Sequence, residues 1–217
     1  MDLFGGNSSL VEHPVQPGEG GSIPTLPLHK LLRVEECNPV HVNWFIEKHH
    51  YSQSVFGITA SHCFRVLDRE LNSRTLGGAL FGPPAAFNVS SKYDNGEPLV
   101  ELRRFVLLSE LPRNSESFCL GVMLRALRRH GIRRVLSYAD PAQGHSGVIY
   151  AASGFVRMGE SSPRRHVIWK GKTYPDRNIH QTNFPYHKDL RAALESGEAT
   201  RVQISGKIVW LKSLMKD

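Results

Sequence analysis

The chain has 217 residues, 40% of them hydrophobic and 22% charged, which excludes a disordered or low-complexity protein and suits one α/β domain with short appendages. Its net charge of +7, with histidine neutral, favours a polyanionic partner or an anionic cofactor. No apolar run reaches the length of a membrane span, and the first eleven residues lack the basic-then-apolar pattern of a secretory leader. The three cysteines, Cys37, Cys63 and Cys119, form no CxxC pair. Cys63 and Cys119 sit in apolar patterns and read as buried thiols of a cytosolic protein, so a cytoplasmic location is expected.

Residues 1–27 are rich in Gly, Ser and Pro and read as a flexible arm. Residues 31–37 read as a strand. Asn38 as N-cap and Pro39 at the first helical position start a helix that runs through Trp44, Phe45 and Ile46 toward His49 and His50. Residues 63–70 and 74–82 read as a hairpin turning at Leu71-Asn72-Ser73, and Gly82-Pro83-Pro84 closes its second strand. Residues 99–108 are the longest strand candidate. The helix that follows has Asn114 as its cap, Glu116 in its first turn and Arg125, Arg128, Arg129 and His130 toward its end, in keeping with the helix dipole. Cys119, Val122, Met123 and Ala126 repeat at helical spacing, so one face packs on a sheet. Residues 132–140 read as a strand, 145–153 as a short helix ended by Gly154, and 155–160 and 164–171 as two further strands. A helix over 187–196 and a final hairpin, 199–205 with 207–213, complete the pattern.

Three local features carry chemistry. The strand 99–108 leads through a loop into the N-terminus of a long helix, where backbone N–H groups can hold a pyrophosphate. The strand 132–140 ends at a polar residue, Asp140. Finally, Ile149-Tyr150-Ala151-Ala152-Ser153-Gly154-Phe155 places a helix tyrosine just before a Gly-Phe pair. With the order of elements, these features resemble the GNAT acyltransferases. The resemblance implies a mixed α/β fold, with a central, mostly antiparallel sheet splayed at the cofactor strand and helices on both sides. It also implies a catalytic domain over 28–172, with 173–217 as an extension packing on that domain and able to touch DNA. In that fold a tyrosine placed like Tyr150 often protonates the leaving thiolate of coenzyme A.

The segments ELRRFVLLSELPRNSESFCLG and SYADPAQGHSGVIYAASGF, with HHY at residues 49–51, are similar to the phage Mom family over residues 30 to about 180. That family installs a carbamoylmethyl group on N6 of adenine and protects phage DNA from restriction. The resemblance implies double-stranded DNA as substrate, action in the host-cell cytoplasm, and active-site positions at His50, Tyr51, Arg103, Ser115, Ser117, Asp140 and Tyr150.

The residues themselves admit several roles. Asp140 can take the amine proton or bind the base edge, or else cap the turn before the next helix. Tyr150 can act as a general acid or stack on the base. His50 can act as a general base or, with Tyr51 and Asp140, ligate a metal ion whose identity the sequence leaves open. Arg103 and Arg104 alternate on one strand, so one of them faces an anionic donor, with Arg113, Asn114, Ser115 and Ser117 as further donor contacts. The loop from Leu111 to Ser117 has no glycine and carries Glu116, which disfavours the pyrophosphate of acetyl-CoA and leaves glycyl-tRNA as the other donor candidate. DNA contacts are expected at Arg125, Arg128, Arg129, Arg133 and Arg134, at Arg164 and Arg165, and along Lys170–Lys188, with Lys172 and Tyr174. Two other readings share the fold. One is a small-molecule or protein N-acetyltransferase using acetyl-CoA. The other is a DNA-binding anti-restriction protein without catalysis.

Overall fold

The computed structural model describes residues 26–71, 74–85, 87–182 and 184–215. All but the last two residues of the expected arm lie outside that range, as do Asn72 and Ser73 of the first expected turn.

A short helix α1 (Leu28–Leu31) leads into β1 (Leu32–Glu36) and helix α2 (Val40–His49). The Val40 N–H donates to Asn38 Oδ1 at 3.1 Å, so Asn38 and Pro39 start α2 as the sequence predicts. Strands β2 (His62–Asp68) and β3 (Thr75–Gly82) form the expected hairpin, followed by helix α3 (Phe87–Tyr93) and strand β4 (Leu99–Leu107). Helix α4 (Ser115–Arg129) and strand β5 (Arg134–Ala139) come next. Helix α5 (Val148–Ala152), strand β6 (Val156–Glu160), strand β7 (Arg164–Trp169) and strand β8 (Lys172–Pro175) follow. Helix α6 (His187–Ser196), strand β9 (Thr200–Ile204) and strand β10 (Ile208–Ser213) complete the order.

Seven strands form the central sheet in the order β1-β2-β3-β4-β5-β10-β6, antiparallel except where β4 runs parallel to β5. One face is covered by α4, whose Cys119, Leu120, Met123 and Leu127 pack with Phe64, Val66, Phe81 and Val135. Residues that alternate with these along the strands face the other way. Cys63 and Leu80 hold Val42 and Ile46 of α2, and Leu136 and Val209 hold Tyr93 of α3. Helix α2 lies so close to β3 that a β-carbon on Gly78 would overlap the Val42 side chain.

A second sheet, β8-β7-β9, packs α6 over Val167, Ile179, Leu190 and Ala193. The expected final hairpin does not form. Strand β9 pairs with β7 in the second sheet, whereas β10 crosses into the central sheet and pairs with both β5 and β6. The second sheet is therefore inserted between β6 and β10, and the expected division at residue 172 falls on the first residue of β8. Pairing partners are set by contacts distant in sequence, which a local alternation pattern cannot specify.

Three elements, α1, α3 and β8, lie outside the predicted pattern because they are short and carry no clear apolar period. The expected helix 145–153 is also shorter than its pattern. Gly144 and Gly147 both take left-handed backbone, with φ of 73° and 88°, and the helix starts only after them.

Candidate active site

The parallel ladder between β4 and β5 joins only Leu99–Glu101 to Arg134–Leu136. Beyond it the strands diverge. The gap is a cleft of about 570 Å³, lined by β4 from Leu102 to Leu107 and by Tyr138 and Ala139 of β5. His49, His50 and Tyr51 close it from the α2 face, and Glu116, Val148 and Tyr150 from the α4 face. The cleft therefore spans the sheet from one helix face to the other.

Strand β4 carries an irregularity where Arg104 opposes Leu80 and Leu102 opposes Phe81, with Arg103 as the extra residue. Simple alternation puts Arg103 and Arg104 on opposite faces. Both nevertheless line the cleft, because every residue from Leu102 to Leu107 borders the gap left by the diverging strands. Arg103 donates to the Pro83 carbonyl at 3.2 Å and pairs with Glu101 at 3.4 Å. Arg104 donates through Nε to the Ser54 carbonyl at 3.0 Å. Glu101 is buried, and burial raises its carboxyl pKa; the Ala85 N–H, donating to it at 3.0 Å, and Arg103 act in the other direction.

His50 follows the last turn of α2 and is only 8% exposed. The Ser52 N–H donates to its Nδ1 at 3.1 Å, and the Ser52 hydroxyl lies 2.9 Å from the same atom. A backbone N–H can only donate, so Nδ1 is the acceptor and the neutral ring carries its proton on Nε2. Burial, then the nearby Arg104, His145 and Lys207, lower the His50 pKa to about 4. In that tautomer the neutral ring offers Nε2–H as a hydrogen-bond donor. Tyr51 stacks beside it at 4.3 Å between ring centroids, and His145 lies 5.3 Å beyond Tyr51. The three rings form a platform, with Tyr51 52% exposed. Burial of part of the ring, and then the Asp140 carboxylate, raise the Tyr51 phenol above its ordinary pKa.

Asp140 is expected at a partly exposed strand end, but it is 6% exposed. Its Oδ1 accepts from Arg164 Nη2 at 2.9 Å and from the Ala142 N–H at 3.2 Å, and its Oδ2 lies 3.8 Å from Lys207 Nζ. The capping role and the ion pair are therefore both present. Tyr150 packs against Phe155 and Trp210 at 5.5 and 6.1 Å, and burial raises its phenol pKa.

The donor residues expected beside α4 are turned away from the cleft. Asn114 takes left-handed backbone, φ 68°, and its side chain does not cap the helix. The Ser115 hydroxyl donates to the Pro112 carbonyl at 2.6 Å, and the Ser117 hydroxyl to the Asn114 carbonyl at 3.1 Å. Of the segment Leu111–Ser117, Glu116 alone reaches the cleft, and Arg113 is exposed outside it.

The expected DNA contacts fall in three places. Arg125, Arg128 and Arg129 sit toward the far end of α4, roughly 14 to 20 Å from Glu116 at 1.5 Å per helical residue, and Arg133 follows the helix. Arg134 is committed inward, donating to the Tyr93 carbonyl at 2.9 Å. Arg164 pairs with Asp140, Arg165 and Lys172 are exposed on the second sheet, and Tyr174 packs against Tyr186 at 5.0 Å. The sequence reading omits Glu101, Tyr138, His145 and Lys207. Of these, Glu101, Tyr138 and His145 lay in segments already singled out, and Lys207 at the start of the last expected strand. Among the described residues, no three His, Cys, Asp or Glu side chains are grouped to hold a metal ion. No described helix is long and apolar enough to cross a membrane.

This site belongs to a recognisable lineage. The model of the Mom protein family matches residues 31–208. The chain belongs to that family. Over 132 residues it is 31% identical to the methylcarbamoylase Mom of Escherichia phage Mu, covering 60% of this chain and 54% of the phage protein. The match thus spans about half the length of that curated relative. Among solved structures, yncA of Salmonella typhimurium, assigned as an acetyltransferase and solved with its cofactor acetyl-CoA, superposes with a TM-score of 0.50 at 10% identity, over 86% of this chain and 96% of that one. The ribosomal-protein-S5-alanine acetyltransferase of Vibrio fischeri gives 0.48 at 10% identity, over 84% of this chain and 92% of that one. The fold of this Mom-family chain is the GNAT fold.

Proposed function

We propose that the protein is a transferase that modifies adenine in double-stranded DNA, placing a carbamoylmethyl group on N6 and so shielding phage DNA from restriction in the host cytoplasm. The observation that carries this reading is the His50–Tyr51–His145 platform at the mouth of a cleft that spans the sheet. The adenine amine is buried in a duplex and its lone pair is delocalised into the ring. The base must be extruded, at a cost of a few kcal/mol. The exposed Tyr51 and His145 rings recover about 1–3 kcal/mol by stacking on it. On this reading His50 Nε2–H and the Tyr51 hydroxyl bind the base edge. Asp140 orients the cations around it, and Tyr150 supplies a proton to the leaving group from the other face.

The donor enters from the α4 side. A coenzyme A pyrophosphate needs close backbone approach and no opposing charge. The loop here has no glycine, its two serine hydroxyls are engaged with their own turn, and Glu116 faces the cleft. These residues do not fit coenzyme A, and we favour a glycyl ester, as in glycyl-tRNA. Its carbonyl acylates N6, and the ester oxygen leaves with a proton. The glycyl amine then attacks C6, and the original C6–N6 bond breaks. The product carries both glycyl carbons and an amide nitrogen, with no other source of atoms.

The deciding experiment is mass spectrometry of nucleosides from cells expressing the chain. We expect carbamoylmethyl-deoxyadenosine, with isotope-labelled glycine entering as two carbons and one nitrogen together. Unmodified deoxyadenosine in the presence of folded protein rejects the enzyme. Label entering from acetate, and not from glycine, rejects the glycyl donor and restores acetyl-CoA.

A further inference from the structure

The two crossings between the sheets each bring a cation to the same carboxylate. Arg164 is the first residue of β7, and Lys207 lies in the bend between β9 and β10. Arg164 holds Asp140 at 2.9 Å, but Lys207 Nζ stands 3.8 Å away, where it feels the carboxylate's charge without a hydrogen bond to it. Both heads remain partly open to solvent, with 27% of the Arg164 side chain and 33% of the Lys207 side chain exposed. Arg103 and Arg104 lie on the adjoining wall, and among the described residues the carboxylates acting on Lys207 are Asp140 and Glu101. Cations outnumber carboxylates in this half-buried region, and such an excess is relieved by an anion.

We propose that Lys207 and Arg164 are a phosphate-binding pair at the rim of the cleft, poised by Asp140 to take a phosphodiester of the DNA strand that carries the target base. This rests on the reading of DNA as substrate. An extruded nucleotide brings its flanking phosphates to the rim of the pocket that receives its base. Lys207 is close enough to influence His50, on the base platform, and His166, on β7, so the pair sits between the platform and the second sheet. Burial lowers the Lys207 ammonium below the usual lysine range, and a bound phosphate replaces the solvation it has lost. Asp140 is a positioning residue for the pair, since its Oδ1 already accepts from Arg164 and the Ala142 N–H and its charge draws Lys207.

The test is the salt dependence of duplex DNA binding by the full chain, measured by fluorescence anisotropy. Lys207→Gln is expected to lower the slope of log Kd against log salt by about one unit and to weaken all sequences alike, with Lys207→Arg restoring both. Thermal denaturation checks that each variant is folded. If Lys207→Gln does not fold, Arg164→Lys keeps a cation opposite Asp140 and is expected to weaken DNA binding several-fold. A folded Lys207→Gln with the wild-type slope, or a folded Arg164→Lys with wild-type affinity, overturns the proposal. Loss of glycyl-tRNA binding with the DNA slope intact also overturns it, by assigning the phosphate to the donor. A wild-type protein that binds no DNA defeats the underlying substrate reading before any variant is made.

Discussion

The two walls of the cleft are built on opposite plans. On the α4 wall, the loop Pro112–Ser117 turns its hydroxyls back onto its own carbonyls and offers the cleft a carboxylate, Glu116. On the β5 wall, Asp140 is sunk beneath the surface and matched by cations, while Gly144 and Gly147 let the backbone bend past it. The first wall holds itself together locally and carries little that could grip an anion. The second is assembled from both sheets, through Arg164, Lys207 and the Trp210 indole packed under Gly147. Specific recognition is therefore concentrated on the wall that depends most on long-range structure.

Substitutions that strike the two walls separate these plans. The largest effect is expected at Gly147. A β-carbon there overlaps the Trp210 indole, and the backbone is left-handed, so Gly147→Ala should cost about 2–4 kcal/mol in urea denaturation, from overpacking and the left-handed penalty together. Wild-type stability would falsify the packing described for this wall.

Asp140→Ala comes next. It strands Arg164 and the capped turn. Because Arg164 is a quarter exposed, the loss should be about 1–3 kcal/mol, less than for a fully buried pair. Base modification should fall with it, whereas simultaneous Arg164→Ala should recover part of the stability but not the activity. No recovery in the double variant would mean that the pair contributes nothing.

Between the walls, His50 sets a pH dependence. Its pKa falls from an ordinary 6.5 to about 4 in the folded chain, so the unfolded chain binds the proton first. Stability contributed by the neutral ring is full above pH 6.5 and is lost progressively as pH falls toward 4. His62 and His166 shift in the same direction, so the signature of His50 is the part of the acid loss that disappears in His50→Gln. An unchanged acid profile in that variant would contradict the burial that lowers this ring's pKa. The smallest effect belongs to the α4 wall. Ser117→Ala, whose hydroxyl is engaged with Asn114, should change donor affinity less than about twofold, equivalent to under 0.5 kcal/mol. A larger loss, read by calorimetry, would return the loop to a donor-binding role.

Much of this architecture is visible in the residues. Asn38-Pro39 starts α2, the apolar spacing of Cys119, Met123 and Ala126 turns α4 onto the sheet, and alternation marks most strands. Strand order is less legible. The pattern around Gly206 reads equally well as a hairpin turn or as a passage between sheets, and only packing against Ser161 decides. Site residues follow the same division. His50, Tyr51, Asp140 and Tyr150 stand out because they fall in motifs. Lys207 lies outside them, and Glu101 opens one of them without standing out, because the importance of both arises from neighbours distant in the chain. That Arg103 and Arg104 both border one cleft was hidden because the gap between β4 and β5 opens only where their pairing ends, which no periodicity registers.

The inserted sheet leaves and returns at one place. The Ser161 N–H donates to the Lys207 carbonyl at 2.9 Å, and the Lys207 N–H returns to the Ser161 hydroxyl at 2.9 Å. Strands β6 and β10 on either side of that clasp are already neighbours, so they form an interrupted hairpin whose turn has been replaced by a folded module. Such a join makes the module exchangeable. A short turn bridging Ser161 to Lys207 would leave the seven-stranded platform intact, and a different module spliced there would present a new surface to the same cleft.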